Sequence, residues 1–284
     1  MVTKTNVNKK TNVNKRKTNV NKKINVNKRK TNVNKGGKMK TPVIIPKYKI
    51  NNTTDFSSVT MTLRPEETFV IESGSVFFIK QKTGIKIKIK TKSGGIWKGF
   101  KRSFLSDETF FKNYFSAPKD GSVEITFGGS MPGDILAITL KPGEKYNVSA
   151  GSFMASSENI QVKTKFRMRG MMTGEGAFTT KLVNNGTENG IAFLTCFGNF
   201  NKVTLKSNEE YLVDNGMFLA SKEDEGKPLY TITKLPGYKS FVFGGEGIFM
   251  KFKGPCEFHT QNRNIDTFIG EIQKRLPTPV EFSL

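Results

Sequence analysis

From Phe56 onward the chain reads as short apolar runs that alternate with polar residues and stop at turn residues. IKIKIK at Ile85 alternates strictly, which places Ile85, Ile87 and Ile89 on one face and the lysines on the other. VEITF at Val123, ILAITL at Ile135, IQVKTKF at Ile160, IAFLTCF at Ile191, LYTITK at Leu229 and IFMKFK at Ile248 are runs of the same kind. KDGS, MPGD, NNGTENG and KLPGY separate them. Many short strands punctuated in this way predict an all-β sandwich or barrel.

One spacing recurs three times, beginning at Leu63, Leu140 and Leu205. Four residues on stand Glu67, Glu144 and Glu209, and six on an aromatic, Phe69, Tyr146 or Tyr211. Ile71, Val148 and Val213 follow, then Gly74, Gly151 and Gly216. An internal repeat of this length makes each copy one structural unit. Pro142-Gly143 marks a tight turn, after which Tyr146 and Val148 share a strand face. These residues are therefore expected to serve packing and turn geometry.

A second motif, Gly-Glu-Gly, occurs at Gly174–Gly176 and at Gly245–Gly247, each time followed by a residue and a phenylalanine. The flanking glycines Gly174, Gly176, Gly245 and Gly247 suit hairpin geometry or a bulge. The alternative is a carboxylate pair formed by Glu175 and Glu246. One helix is expected over 264–276, where Ile265, Phe268, Ile269, Ile272 and Leu276 form a stripe. Asn264 caps it, Pro277 stops it, and the apolar stripe should pack along the β body, with 277–284 as a loose tail.

Charge changes the picture at the N-terminus. The net charge is +22, and the first acidic residue is Asp55, whereas residues 1–54 hold 16 Lys and Arg. The remainder has 30 basic against 24 acidic residues, an ordinary balance. TNVNK or INVNK recurs at Thr5, Thr11, Thr18, Ile24 and Thr31. Isolated valines among Asn and Lys bury too little surface to offset chain entropy, so residues 1–40 are expected to form a disordered arm and 41–55 a linker. Lys9, Lys10, Lys15, Arg16, Lys17, Lys22, Lys23, Lys28, Arg29 and Lys30 are the candidate contacts to DNA, RNA or an anionic membrane surface. A solvating segment without a dedicated role and a targeting segment remain open beside that reading.

Candidate chemistry is sparse. His259 is the single histidine, and no HExxH, GxSxG, GxGxxG or P-loop spacing occurs. No enzyme activity, metal or cofactor is expected. Cys196 and Cys256 have no CxxC support, so two free thiols are expected rather than a disulfide framework. No apolar run approaches the length of a membrane-spanning helix, and none follows the N-terminal charges as a secretory signal would. The expected setting is therefore intracellular.

LKPGEKYNVSAGSFMA, RSFLSDETFF, MPGDILAITL, LVDNGMFLA, GGEGIFMKFKGP and TQNR, in that setting, resemble the altered-inheritance-of-mitochondria protein twenty-four family over about residues 60–276. The resemblance implies tandem units with a fold like that of the tryptophan RNA-binding attenuation protein (TRAP-like), here in a body spanning 56–276. It also implies self-association into a homo-oligomer and a structural, non-catalytic role. Eukaryotic members are mitochondrial and linked to inner-membrane organisation. Cys256 after Gly-Pro, the His259–Arg263 segment and the basic arm depart from the family's pattern.

Overall fold

In the computed structural model the described residues are 45–51, 56–93, 111–164, 179–234 and 248–276. Among them the protein is mainly β, with one short helix, and every named strand pair is antiparallel. A leading strand, β1 (Lys47–Asn51), precedes three copies of one six-strand plan. The first copy comprises β2 (Ser58–Leu63), β3 (Thr68–Glu72), β4 (Val76–Gln81), β5 (Lys88–Ser93), β6 (Phe111–Ser116) and β7 (Val123–Gly128). The second comprises β8 (Ile135–Leu140), β9 (Lys145–Ser149), β10 (Phe153–Ser157), β11 (Ile160–Thr164), β12 (Thr179–Asn184) and β13 (Gly190–Thr195). The third runs through β14 (Phe200–Leu205), β15 (Glu210–Asp214), β16 (Phe218–Asp224), the two-residue β17 (Lys227–Pro228), β18 (Tyr230–Lys234), β19 (Ile248–Lys253) and β20 (Cys256–Gln261).

Within each copy the last strand pairs with the first and third, while the fifth pairs with the second and fourth. The third strand carries a register shift at the same place every time, between Val76 and Phe78, Phe153 and Ala155, and Phe218 and Ala220. Such a bulge bends the strand and increases its twist.

Successive copies share sheets. Sheet order β5-β6-β3-β10-β13-β8 joins half of the first copy to half of the second. Sheet order β11-β12-β9-β16-β20-β14, with β17 beside β16, joins the second to the third. The end halves stand as separate sheets, β1-β2-β7-β4 and β15-β19-β18.

Apolar alternation fills the space between these sheets. Phe69, Phe127 and Phe193 are fully buried in the first cluster, with ring centroids 5.6–6.3 Å apart. Leu140, Val148, Leu182 and Leu194 anchor the second, and Phe218, Met250, Phe252 and Phe258 the third. Phe252 and Phe258 stack at 3.8 Å.

The expected inward stripe of Ile85, Ile87 and Ile89 is corrected at its end. Ile85 and Ile87 precede β5 and pack against the first cluster, but Ile89 is 50% exposed. Alternation identifies a shared face but not what lies against it, and on β5 the side chain of Ile89 is left in water.

Helix α1 (Ile265–Gln273) lies inside the expected range, capped by Asn264, whose side chain accepts from the Asp266 and Thr267 amides. It ends early because the Arg275 and Leu276 amides bond three residues back, tightening the last turn. The helix buries no residue, contrary to the expected packing of its stripe, and Phe268, Ile269 and Ile272 are 42–45% exposed. Phe268 nonetheless meets Phe197 of the β body at 5.2 Å between centroids.

Candidate functional site

The repeated glutamates close turns. In Arg64–Glu67, Lys141–Glu144 and Lys206–Glu209 the last amide donates to the first carbonyl at 3.0–3.2 Å. The same glutamate's carboxylate accepts from the first residue's amide, at 2.7 Å for Glu67, 2.9 Å for Glu144 and 2.7 Å for Glu209. The third turn residue has positive φ each time: Glu66 at 66°, Gly143 at 79° and Asn208 at 71°. Proline second and a left-handed third residue are the preferences of a type II turn, and Gly143 meets them without a Cβ penalty.

Gly74 and Gly151 likewise hold positive φ, at 89° and 71°. Gly216 serves another need, since it sits in a 3-10 turn, Asn215–Met217, where a Cβ would meet Asn264 Nδ2 at 1.8 Å.

A polar latch links the copies, and motif reading missed it. Asp134 accepts from Ser57 Oγ at 3.0 Å and from Asn199 Nδ2 at 2.9 Å. These three residues stand six positions before Leu63, Leu140 and Leu205, a spacing that the repeat offered. Asn262 closes the series, accepting from the Asn199 amide at 3.0 Å.

Charged residues converge where the second and third copies meet, in a depression of about 290 Å³ beside Tyr146, Lys222, Glu223, Cys256, Glu257 and His259. Three carboxylates at this junction pair with lysines. Lys222 Nζ lies 2.7 Å from Glu144 Oε1, Lys202 Nζ 2.8 Å from Glu257 Oε2, and Lys181 pairs with the buried Glu223. Burial alone would raise the Glu144 carboxyl, but the Lys222 bond, the Lys141 amide and both lysine charges outweigh it, so its pKa falls below the usual range. The same contact raises Lys222.

Burial lowers His259, with Glu257 opposing and Lys202 assisting. Burial also raises Tyr146 and the Cys256 thiol. Burial thus favours the neutral imidazole and the protonated thiol, while Glu144, Glu223 and Glu257 are each paired with a lysine. Cys196 and Cys256 are not joined in a disulfide, and Cys196 Sγ donates to Gly198 O at 3.2 Å.

The open strands at the two ends of the repeat array expose apolar side chains, as helix α1 and Phe56 also do. On β4, Phe77, Phe78 and Ile79 are 46%, 70% and 38% exposed, and on β15 Tyr211 and Leu212 are 46% and 43% exposed. The candidate anion contacts from Lys9 to Lys30, and Gly174, Gly176, Gly245 and Gly247, lie outside the described residues.

The family described as Mitochondrial biogenesis AIM24 matches residues 48–263. The chain belongs to this family. An uncharacterised protein of Streptococcus pyogenes is 26% identical over 239 residues, covering 82% of this chain and 92% of that one. The crystal structure of a Streptococcus pyogenes protein has a TM-score of 0.61 and 21% identity, covering 81% of this chain and 99% of that one. That likeness shares the fold. In this chain the matched range runs from β1 to the latch at Asn262.

Proposed function

We propose that this protein is a non-catalytic scaffold that assembles with copies of itself through its β body, while its basic arm contacts anionic partners. The observation that carries the reading is the apolar exposure of the strands at the two ends of the repeat array. Phe77, Phe78 and Ile79 at one end and Tyr211 and Leu212 at the other leave large side chains in water on edge strands. Exposed edges and contiguous apolar patches are physical routes to association. Assembly would also multiply the arm's attraction for a polyanion without new contacts.

Light scattering coupled to size exclusion tests this, using the full chain and residues 42–284 with and without duplex DNA at two salt concentrations. The expected result is one defined oligomer for both proteins, with salt-sensitive DNA binding by the full chain alone. Two monomers would remove the scaffold reading. Equal DNA binding by both would remove the arm's role.

A second reading, a sequence-nonspecific nucleic-acid-binding protein, draws on the 16 basic and no acidic residues before Asp55. The arm holds no aromatic before Tyr48, so such binding would rest on phosphate charge and fall steeply with salt.

A further inference from the structure

Both internal seams obey one rule. In the first, Ala155, Ser156 and Ser157 of β10 lie opposite Ile71, Val70 and Phe69 of β3. In the second, Ala220, Ser221 and Lys222 of β16 lie opposite Val148, Asn147 and Tyr146 of β9. Counted from Leu63, Leu140 and Leu205, the incoming strand uses positions fifteen to seventeen and the receiving strand positions eight to six. All of these residues except Lys222 and Tyr146 are at most 4% exposed.

The same count at the ends of the array gives Phe78, Ile79 and Lys80 of β4 against Val213, Leu212 and Tyr211 of β15. Among the described residues β4 pairs with β7 alone and β15 with β19 alone. The seam positions that are covered inside the molecule thus face water at its ends, where all but Lys80 are apolar and Val213 alone is buried.

A second correspondence is electrostatic. Lys222, at position seventeen, bridges the second seam to Glu144, at position four. The open ends carry Lys80 and Glu209 at those same positions, and neither forms an ion pair among the described residues. Glu209 Oε2 holds its turn amide just as Glu144 Oε2 does, while Oε1 is the atom by which Glu144 takes Lys222. The first seam has Ser157 at position seventeen, and Glu67 pairs with Arg64 of its own turn. The repeat therefore does not impose a Lys–Glu pair, yet the two open ends match each other.

We propose that β4 of one copy adds antiparallel to β15 of a second copy, pairing Phe78 with Val213, Ile79 with Leu212 and Lys80 with Tyr211, and bridging Lys80 to Glu209. This rests on the self-association reading above. The contact fuses the four-stranded and three-stranded end sheets into one of seven strands, matching the six- and seven-stranded sheets inside the molecule. It joins two different surfaces, so repetition builds a ring or a filament rather than a symmetric pair. Main-chain bonds along the edges and burial of the apolar side chains drive it, and the Lys–Glu pair sets the register.

Charge exchange in the full-length protein tests the pairing, with association read by sedimentation velocity and folding by circular dichroism. Lys80→Glu and Glu209→Lys should each weaken association roughly tenfold, because each places like charges across the contact. Combining the two substitutions in one chain should restore it, since every contact between copies then joins opposite charges. Phe78→Asp, on an exposed side chain, should weaken association without altering the fold, independently of any effect of Glu209→Lys on its turn. A monomeric wild type overturns this pairing together with the scaffold reading. A wild-type oligomer indifferent to Lys80→Glu and Phe78→Asp overturns the pairing and leaves the scaffold. Weakening by each substitution without restoration in the doubly substituted chain overturns the register.

Discussion

Lys222 of β16 reaches Glu144 in the turn before β9, Nζ to Oε1 at 2.7 Å, and thereby ties the third copy to the second. The carboxyl's pKa is below its usual range in the folded protein, so it binds protons less readily there than in the unfolded chain. Its contribution to stability is thus present above the ordinary carboxylate pKa and is lost as pH falls through the lower native value. Glu144→Gln should cost about 0.5–1 kcal/mol at neutral pH, the scale of a partly exposed ion pair. Urea titrations of both proteins should show the difference closing in acid, and high salt should reduce it at neutral pH.

Glu66 holds φ of 66° where Gly143 occupies the same turn position. Its Cβ pays a steric cost that glycine avoids, and its ion pair with Lys119, at 3.6 Å between two exposed side chains, returns little. Glu66→Gly should therefore stabilise the protein by roughly 0.5–1 kcal/mol, while Gly143→Ala should destabilise it by roughly 1 kcal/mol or more. Thermal melts of the pair check the opposite signs. A shift in the same direction for both would mean that the two turns are not equivalent.

Phe258 is fully buried and stacks on Phe252 at 3.8 Å. Truncation to alanine removes most of a ring from the third cluster, whose neighbours Phe218 and Met250 are held by strands on both sides. Phe258→Ala should cost about 3–5 kcal/mol, read as a fall in the urea midpoint. Phe268→Ala, on the 45% exposed helix residue, should cost far less.

The repeat was legible because its marks are chemically plain: a buried leucine, a turn, a glutamate and an aromatic at fixed intervals. Their roles follow from local geometry, as the three matching turn bonds demonstrate. Periodicity also located the strand at Val123 and the strand at Ile135, where Val123, Ile125, Phe127, Ile135, Leu136, Ile138 and Leu140 are buried. It misplaced Ile89 and the helix stripe, because a period identifies a face but not what lies against it. The latch escaped notice since Ser57, Asp134 and Asn199 differ in residue type while sharing a position. The open ends depend on which strands pair across the whole chain, and no local pattern encodes that.

Asn264 controls a helix that stands almost alone. Its side chain accepts from the Asp266 amide at 2.8 Å and the Thr267 amide at 3.3 Å. No residue of α1 is buried, so packing adds little to hold the first turn. Asn264→Ala should cost about 1 kcal/mol, and that loss should fall on the helix rather than on the β body. Hydrogen exchange offers the separation: amides of 265–273 should exchange roughly fivefold faster, since each 1.4 kcal/mol is a factor of ten. Amides of β13, paired on both sides by β8 and β10, should keep their rates. Equal acceleration in both would show that the helix is coupled to the sandwich more tightly than the Phe197–Phe268 contact alone provides.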